Sequence, residues 1–255
     1  MAFTKLVELK RVEMRNPLLI QGVPGLGLVG KIAVSFLIDK MNAEKVVEIY
    51  SDYLTLPEGS PGVKLEDDRI NPITYDIYWT KGNGRDLLLL TSEVQPLTIG
   101  QYTIANLVLD YAVGKGVDTV ITLGGYVPGS PDVKGVFACT NNREFMEELK
   151  AHGVNPLSGG YVTGAAGLLV GLAELRGLRS ACLLGTTEGT FPDPRASKMV
   201  LEVIKSLYGI EVDLQELEIE AELAERILTK EMEERRAPPE FKTEGPEERG
   251  LPYHL

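Results

Sequence analysis

Short apolar runs bounded by glycine, proline or polar residues alternate along the chain with longer stretches of helical periodicity. Continuous apolar runs of four or five residues are typical of strands buried on both faces of a sheet. Such runs occupy residues 17–21, 45–50, 87–90, 119–123 and 180–184. Apolar residues at three- and four-residue steps predict helices between and after these strands, over residues 28–41, 100–115, 142–152, 164–175 and 196–208.

A hairpin is the clearest local prediction. Residues 73–80 alternate between apolar and polar side chains, and the turn-forming segment 81–86 separates them from the apolar run 87–90. The segment 56–72, rich in proline, glycine and acids, predicts a long loop or a short hairpin. Strands that alternate with helices predict a three-layer α/β/α sandwich around a mainly parallel sheet. The hairpin over residues 74–91 adds antiparallel pairing.

The composition changes after the predicted core domain, which covers residues 1–208. Asp213 and Glu216 resemble a capping box, and they begin an amphipathic helix that is predicted to run to about Arg236. Its narrow apolar stripe fits either docking on its own domain or pairing with a neighbouring subunit. The second predicted unit is therefore residues 209–236, and the polar, proline-containing residues 237–255 are predicted to form a flexible tail.

Charge and hydropathy narrow the classes of partner. The formal net charge of −11 repels phosphate backbones and anionic membranes, and the basic residues are scattered, so neither nucleic acid nor membrane is predicted as a partner. The longest apolar run, residues 165–173, is far shorter than the ~20 residues of a membrane helix. The first residues lack the apolar stretch of a signal peptide, so a cytoplasmic location is expected.

Residues that carry chemistry are sparse. Cys139 and Cys182 are far apart in the sequence and do not form a Cys-x-x-Cys motif, and Cys182 lies in an apolar run where a small buried side chain is expected. His152 and His254 have no partner at metal-ligand spacing. We therefore predict no disulfide framework, no metal site, no cofactor and no catalytic residue set.

A glycine-rich turn offers an alternative. Gly25, Gly27 and Gly30 fit the Gly-x-Gly-x-x-Gly spacing of dinucleotide-binding folds, between a predicted strand and a predicted helix. Pro24 intrudes on this turn, and no hydride-transfer residues follow. We therefore interpret the glycines as a sharp turn that allows close packing of helix on strand. A nucleotide-binding protein or enzyme on the same fold stays as the alternative.

Two glutamates belong to the same alternative. Glu93 and Glu188 each follow a predicted strand, at the sheet edge where ligands gather in open α/β folds. A pair of carboxylates there would suit acid–base chemistry. No nucleophile, histidine or metal-ligand set accompanies them, so contacts to nearby backbone amides are the favoured interpretation.

Five motifs in order resemble those of the proteasome assembly chaperone 2 family. They are GVPGLGLVGKIA at residues 22–33, TSEVQP at 91–96, GGYVTGAAGLL at 159–169, TEG at 187–189 and PDPRA at 192–196. Each motif alone is weak, whereas five in the right order are more specific. The resemblance covers roughly residues 15–235.

The resemblance implies a fold like that of purine nucleoside phosphorylases, oligomeric assembly and no established enzyme activity. The best understood members of the family bind the α-ring of the proteasome core particle through a C-terminal tail that ends in a hydrophobic residue, tyrosine and any residue. In this chain Tyr253 is third from the end rather than second. The resemblance implies an assembly chaperone-like protein that contacts the core particle through Leu251, Tyr253, His254 and Leu255, and itself or a paralogue as a further partner.

Overall fold

The computed structural model describes residues 3–223, in which one large sheet carries helices on both faces. The strands are β1 (Thr4–Glu8), β2 (Leu18–Gly22), β3 (Glu44–Ser51), β4 (Val63–Glu66), β5 (Arg69–Pro72), β6 (Tyr75–Thr80), β7 (Leu87–Ser92), β8 (Thr119–Tyr126), β9 (Val136–Thr140), β10 (Asn155–Pro156) and β11 (Arg179–Thr186). The helices are α1 (Val29–Lys40), α2 (Gln101–Gly114), α3 (Arg143–Ala151), α4 (Gly164–Ala173), α5 (Pro194–Tyr208) and α6, which begins at residue 215 and is described to residue 223.

The large sheet is mixed, with the strand order β1-β3-β6-β7-β2-β8-β11-β9-β10. The four central strands β7, β2, β8 and β11 are parallel. On one side β6, β3 and β1 continue the sheet with antiparallel pairing, and on the other side β9 pairs antiparallel with β11. The predicted parallel pairing therefore describes the centre of the sheet, and antiparallel strands flank it.

Alternating side chains of the central strands supply two apolar layers. Leu18 and Ile20 of β2 face the layer that contains α1, α3, α5 and the start of α6. Leu19, between them, faces α2 and α4. Continuous leucine and isoleucine runs are therefore required, because both faces of these strands are covered. The predicted three-layer α/β/α sandwich is confirmed.

The predicted elements match the structure closely where their apolar pattern is strong. The hairpin predicted over residues 74–91 is formed by β6 and β7, and the predicted helices begin and end within two residues of the observed ones. The segment 56–72 contains the short hairpin of β4 and β5, whose residues are mostly exposed. The strand predicted over 119–123 continues through two glycines to Tyr126.

The start of α6 packs on the core of its own chain. The Gln215 backbone N–H donates to Asp213 Oδ1 at 3.0 Å, as expected for a helix cap. Leu214, Leu217 and Ala221 are buried, so the described part of the helix uses its apolar stripe within the chain. The predicted course to Arg236, the predicted tail and its tip at residues 251–255 lie outside the described residues.

The helices within residues 3–223 are too short or too polar to cross a membrane, because none of them combines the length and the apolar composition that a bilayer crossing requires.

Candidate functional site

The glycine-rich turn after β2 places α1 directly on the sheet. A Cβ atom added to Gly22 would lie 1.9 Å from the Gly30 carbonyl oxygen, and one added to Gly30 would lie 2.1 Å from the Leu123 carbonyl oxygen. Any larger residue at either position would have to push helix and strand apart. These two glycines therefore set the distance between α1 and the strands β2 and β8.

Gly27 has a different role in the same turn. Its φ of 60° lies in the left-handed region, and an added Cβ would lie 2.6 Å from Thr187 Oγ1. The Gly27 N–H donates to the Gly189 oxygen at 3.3 Å, and its carbonyl accepts from the Asp193 N–H at 2.8 Å. The Leu28 N–H donates to the Gly25 oxygen at 2.9 Å. The fold itself thus uses the Gly27 and Leu28 amides, two of the groups that a phosphate at this turn would contact.

Gln95 connects this turn with a second glycine-rich segment. Its side-chain Nε2 donates to the Pro24 oxygen at 2.5 Å, and its Oε1 accepts from the Ala165 N–H at 3.3 Å. The Thr187 N–H donates in turn to the Tyr126 oxygen at 2.9 Å. Hydrogen bonds therefore tie the segments that follow the central strands into one surface at the carboxyl edge of the sheet. We call this surface the strand-end face.

The strand-end face presents large apolar side chains to solvent. Tyr161 is 97% exposed and Ile99 is 78% exposed, values unusual for side chains of this size. Its exposed apolar residues are Leu26, Leu97, Ile99, Tyr102, Val127, Tyr161 and Phe191. Clusters of exposed apolar side chains of this kind are typical of protein–protein interfaces. Most of these residues lie in predicted loops. Helical or strand periodicity therefore gave no sign that they share one surface.

The two predicted glutamates lie apart. Glu93 follows β7 and Glu188 follows β11, and β2 and β8 separate these strands, so the strand ends are about 14 Å apart at ~4.8 Å per strand. Glu93 lines a cavity of about 450 Å³, where the hydrogen bond from Lys31, 2.9 Å long, lowers its pKa. Glu188 lines a separate cavity of about 440 Å³ at the start of α5. The structure does not bring the two together as an acid–base pair.

The cavity beside Glu93 lies between α1, the β3–β6 strands and the β4–β5 hairpin. Three lysines line it, and carboxylates neutralise them. Lys45 Nζ lies 2.8 Å from Asp76 Oδ2 and 3.2 Å from Glu48 Oε1. Burial opposes the charge of Lys45, but the hydrogen bonds and charge of these carboxylates outweigh burial and raise its pKa. The lysines that line the cavity are therefore held in ion pairs with its carboxylates.

No metal centre is found in the part of the chain that the structure describes. Across residues 3–223, histidine, cysteine, aspartate and glutamate side chains form no cluster of three that could hold a metal ion. Among the described surfaces, the strand-end face is the one whose exposed apolar side chains suit a protein–protein contact.

The chain belongs to the PAC2 family, whose family model matches residues 19–232. The match includes the glycine turn, the segments of the strand-end face and the described part of α6. The resemblance inferred from the five sequence motifs is thereby confirmed.

Several relatives share the fold over most of their length. The Pyrococcus furiosus protein PbaB, described as an archaeal proteasome activator, has a TM-score of 0.83 and 30% identity, over 91% of this chain and all of that chain. PbaA of the same organism, described as an archaeal homolog of proteasome-assembly chaperone, has a TM-score of 0.75 and 30% identity, over 91% of this chain and 94% of that chain. The uncharacterized protein MJ1210 of Methanocaldococcus jannaschii is 33% identical over 85% of this chain and 83% of its own length.

Proposed function

We propose that this protein is a non-enzymatic, self-associating protein that binds the α-ring of the proteasome core particle in the cytoplasm, in the manner of an assembly chaperone. The observation that carries the proposal is the similarity to PbaB and PbaA, each 30% identical over 91% of this chain. PbaB is described as a proteasome activator, and PbaA as a homolog of proteasome-assembly chaperone. The proposed binding partner of this protein is therefore the proteasome core particle.

The strand-end face supports self-association. The chain carries a net charge of −11, so its copies repel one another at a distance. A face of apolar side chains allows two copies to meet without bringing their acidic surfaces together. Loops tied by Gln95 and by the Gly27 backbone present that face in one fixed arrangement, which lowers the entropic cost of association.

The substitution Ile99→Asp is expected to weaken self-association at least about tenfold, because burying an unpaired carboxylate in the interface costs more than ~1.4 kcal/mol. Native mass spectrometry over a dilution series measures this effect. Leu175→Asp is the matched control, since Leu175 is 79% exposed and precedes β11 at the opposite edge of the sheet. Equal dissociation of the two variants would reject the strand-end face as the interface.

The proposed contact with the core particle uses the tip of the chain, residues Leu251, Tyr253, His254 and Leu255. This assignment follows the family resemblance, and a tip with aromatic and apolar side chains has the chemistry to fill a pocket between subunits. A terminal carboxylate can add a charge-assisted hydrogen bond to a lysine of the partner.

Removal of residues 237–255 is expected to lower the affinity for an archaeal-type core particle at least about tenfold, because it removes all four contact residues. Co-sedimentation with the purified core particle measures binding. Tyr253→Ala is the point variant, and Phe241→Ala, an aromatic truncation in the same segment, is its control. Equal binding of full-length and truncated chains would reject the role of the tip. Absence of binding by both would reject the proposed function.

A further inference from the structure

Two cysteines that are distant in sequence lie directly opposite each other in the sheet. The antiparallel pairing of β9 and β11 sets Cys139 against Cys182. Opposed residues of an antiparallel pair project from the same face of the sheet. Both cysteines accordingly border one apolar cluster, together with Val170 and Leu184. The sheet register therefore makes neighbours of two cysteines whose sequence spacing gives no sign of a contact.

The Cα separation expected for the two cysteines lies within the range of disulfide bonds. The Thr186 N–H donates to the Gly135 oxygen at 3.0 Å, and the Asn141 N–H donates to the Ser180 oxygen at 3.3 Å. The two bonds show that Thr186 and Gly135, and likewise Ser180 and Asn141, are hydrogen-bonded pairs of the antiparallel ladder. The cysteine pair lies an even number of residues from both, so it is also a hydrogen-bonded pair. Cα atoms of such pairs are ~5.5 Å apart, inside the ~4.4–6.8 Å range of disulfides.

The two thiols have unequal environments. Cys182 is fully buried, whereas Cys139 is half-buried at the border of the apolar cluster, against which Leu157 and Val162 of the segment before α4 also pack. A hydrogen bond from the Cys182 thiol lowers the pKa of Cys139 to about 7. The same contact, together with burial, raises the pKa of Cys182. Cys139 is therefore the more nucleophilic and more accessible sulfur, and Cys182 is the thiol beside it.

We propose that Cys139 and Cys182 form a thiol–disulfide exchange site for low-molecular-weight disulfides. The Cys139 thiolate attacks one sulfur of the small disulfide, the disulfide bond breaks, and one small thiolate leaves. Cys182 then attacks the Cys139 sulfur, the mixed disulfide bond breaks, and the proton of Cys182 passes to the leaving thiolate, which departs as the second small thiol. The protein dithiol is oxidised by two electrons, and the small disulfide is reduced to two thiols.

Oxidation would link β9 covalently to β11. The pairing with β11 is the contact that attaches β9, and through it β10, to the rest of the sheet. A covalent bond at this position would prevent β9 from separating from β11. This site is independent of core-particle binding, so its failure would leave the proposed function untouched.

Equilibration of the full chain with glutathione buffers of increasing oxidised fraction tests the proposal. After acid quenching and alkylation with N-ethylmaleimide, mass spectrometry counts the free thiols. We expect both thiols to disappear together, with a peptide linking Cys139 to Cys182 and no bound glutathione. Two free thiols at the most oxidising ratio, or glutathione retained on Cys139, would overturn the proposal.

Two variants test the order of the steps. Cys182→Ser is expected to accumulate one glutathione on Cys139, because the second attack is removed. Cys139→Ser is expected to react at least about tenfold more slowly, since Cys182 is buried and has the higher pKa. Circular dichroism checks that both variants are folded. Equal rates for the two variants would refute Cys139 as the attacking sulfur.

Discussion

The substitution Gly30→Ala is expected to destabilise the protein by at least about 3 kcal/mol, because the added Cβ would collide with backbone atoms that are fixed within the sheet. That atom would lie 2.1 Å from the Leu123 carbonyl oxygen and 3.3 Å from the Gly22 Cα. To avoid this clash, α1 would have to move away from β2 and β8, and the apolar packing between the helix and the sheet would be loosened. The free energy of unfolding from chemical denaturation measures the effect.

Gly25→Ala is the matched control in the same turn. An added Cβ at Gly25 would have its nearest neighbour beyond the adjacent residues, Gln95 Nε2, at 3.8 Å, which is an ordinary van der Waals contact. The Gly25 φ of −169° is extended backbone that alanine adopts. The structure therefore separates the motif glycines: Gly27 and Gly30 are required by the fold, and Gly25 is not. Equal midpoints for Gly25→Ala and Gly30→Ala would contradict this account.

Truncation of Leu217 to alanine is expected to cost about 2–5 kcal/mol, the range for a large apolar side chain removed from a core. Leu217 is 0% exposed and belongs to the same apolar cluster as Val200, Leu201 and Ile204 of α5. It holds the first described turns of α6 on the core. The substitution weakens the contact between α6 and the core before it affects the sheet. Amide hydrogen exchange should therefore become faster in α6 before it becomes faster in β2.

Ile219→Ala is the control for Leu217. Ile219 lies two residues further along the same helix and is 65% exposed, so its truncation removes little buried area. We expect its free energy of unfolding to change by less than about 0.5 kcal/mol. Similar losses for both variants would show that α6 is not held by the buried stripe.

The central strands could be predicted because their patterns are local. The apolar runs of β2, β7, β8 and β11 are covered on both faces, and this double burial leaves an unmistakable sequence pattern. The β6–β7 hairpin was equally predictable, since turn residues separate its two strands within a short segment. Together these segments defined the three layers.

Two of the flanking strands, β1 and β9, were missed for physical reasons. Thr4–Glu8 is an edge strand whose residues are only partly buried, so its sequence resembles a polar terminus. Val136–Thr140 is short and follows a loop rich in proline and glycine. Its antiparallel direction against β11 depends on contacts distant in sequence, and residue periodicity carries no information about them.

The functional surfaces required the three-dimensional arrangement. The sequence suggested Gly25, Gly27 and Gly30 as either a phosphate cradle or a turn, and only the partners of the Gly27 backbone distinguish these alternatives. Glu93 and Glu188 share a sheet edge, but the strand order separates them. Cys139 and Cys182 have no sequence motif, and the register of two strands makes them neighbours.

The position of β2 in the sheet also determines when the fold can be completed. Leu18 stands opposite both Leu87 and Thr119, so β2 cannot enter its place until residues far along the chain are available. Closing such long loops is slow, whereas the β6–β7 hairpin forms from neighbouring segments. During synthesis, the apolar β2 must therefore leave the ribosome well before β8 can cover it. The growing chain passes through an aggregation-prone stage that ends only after β8 has emerged.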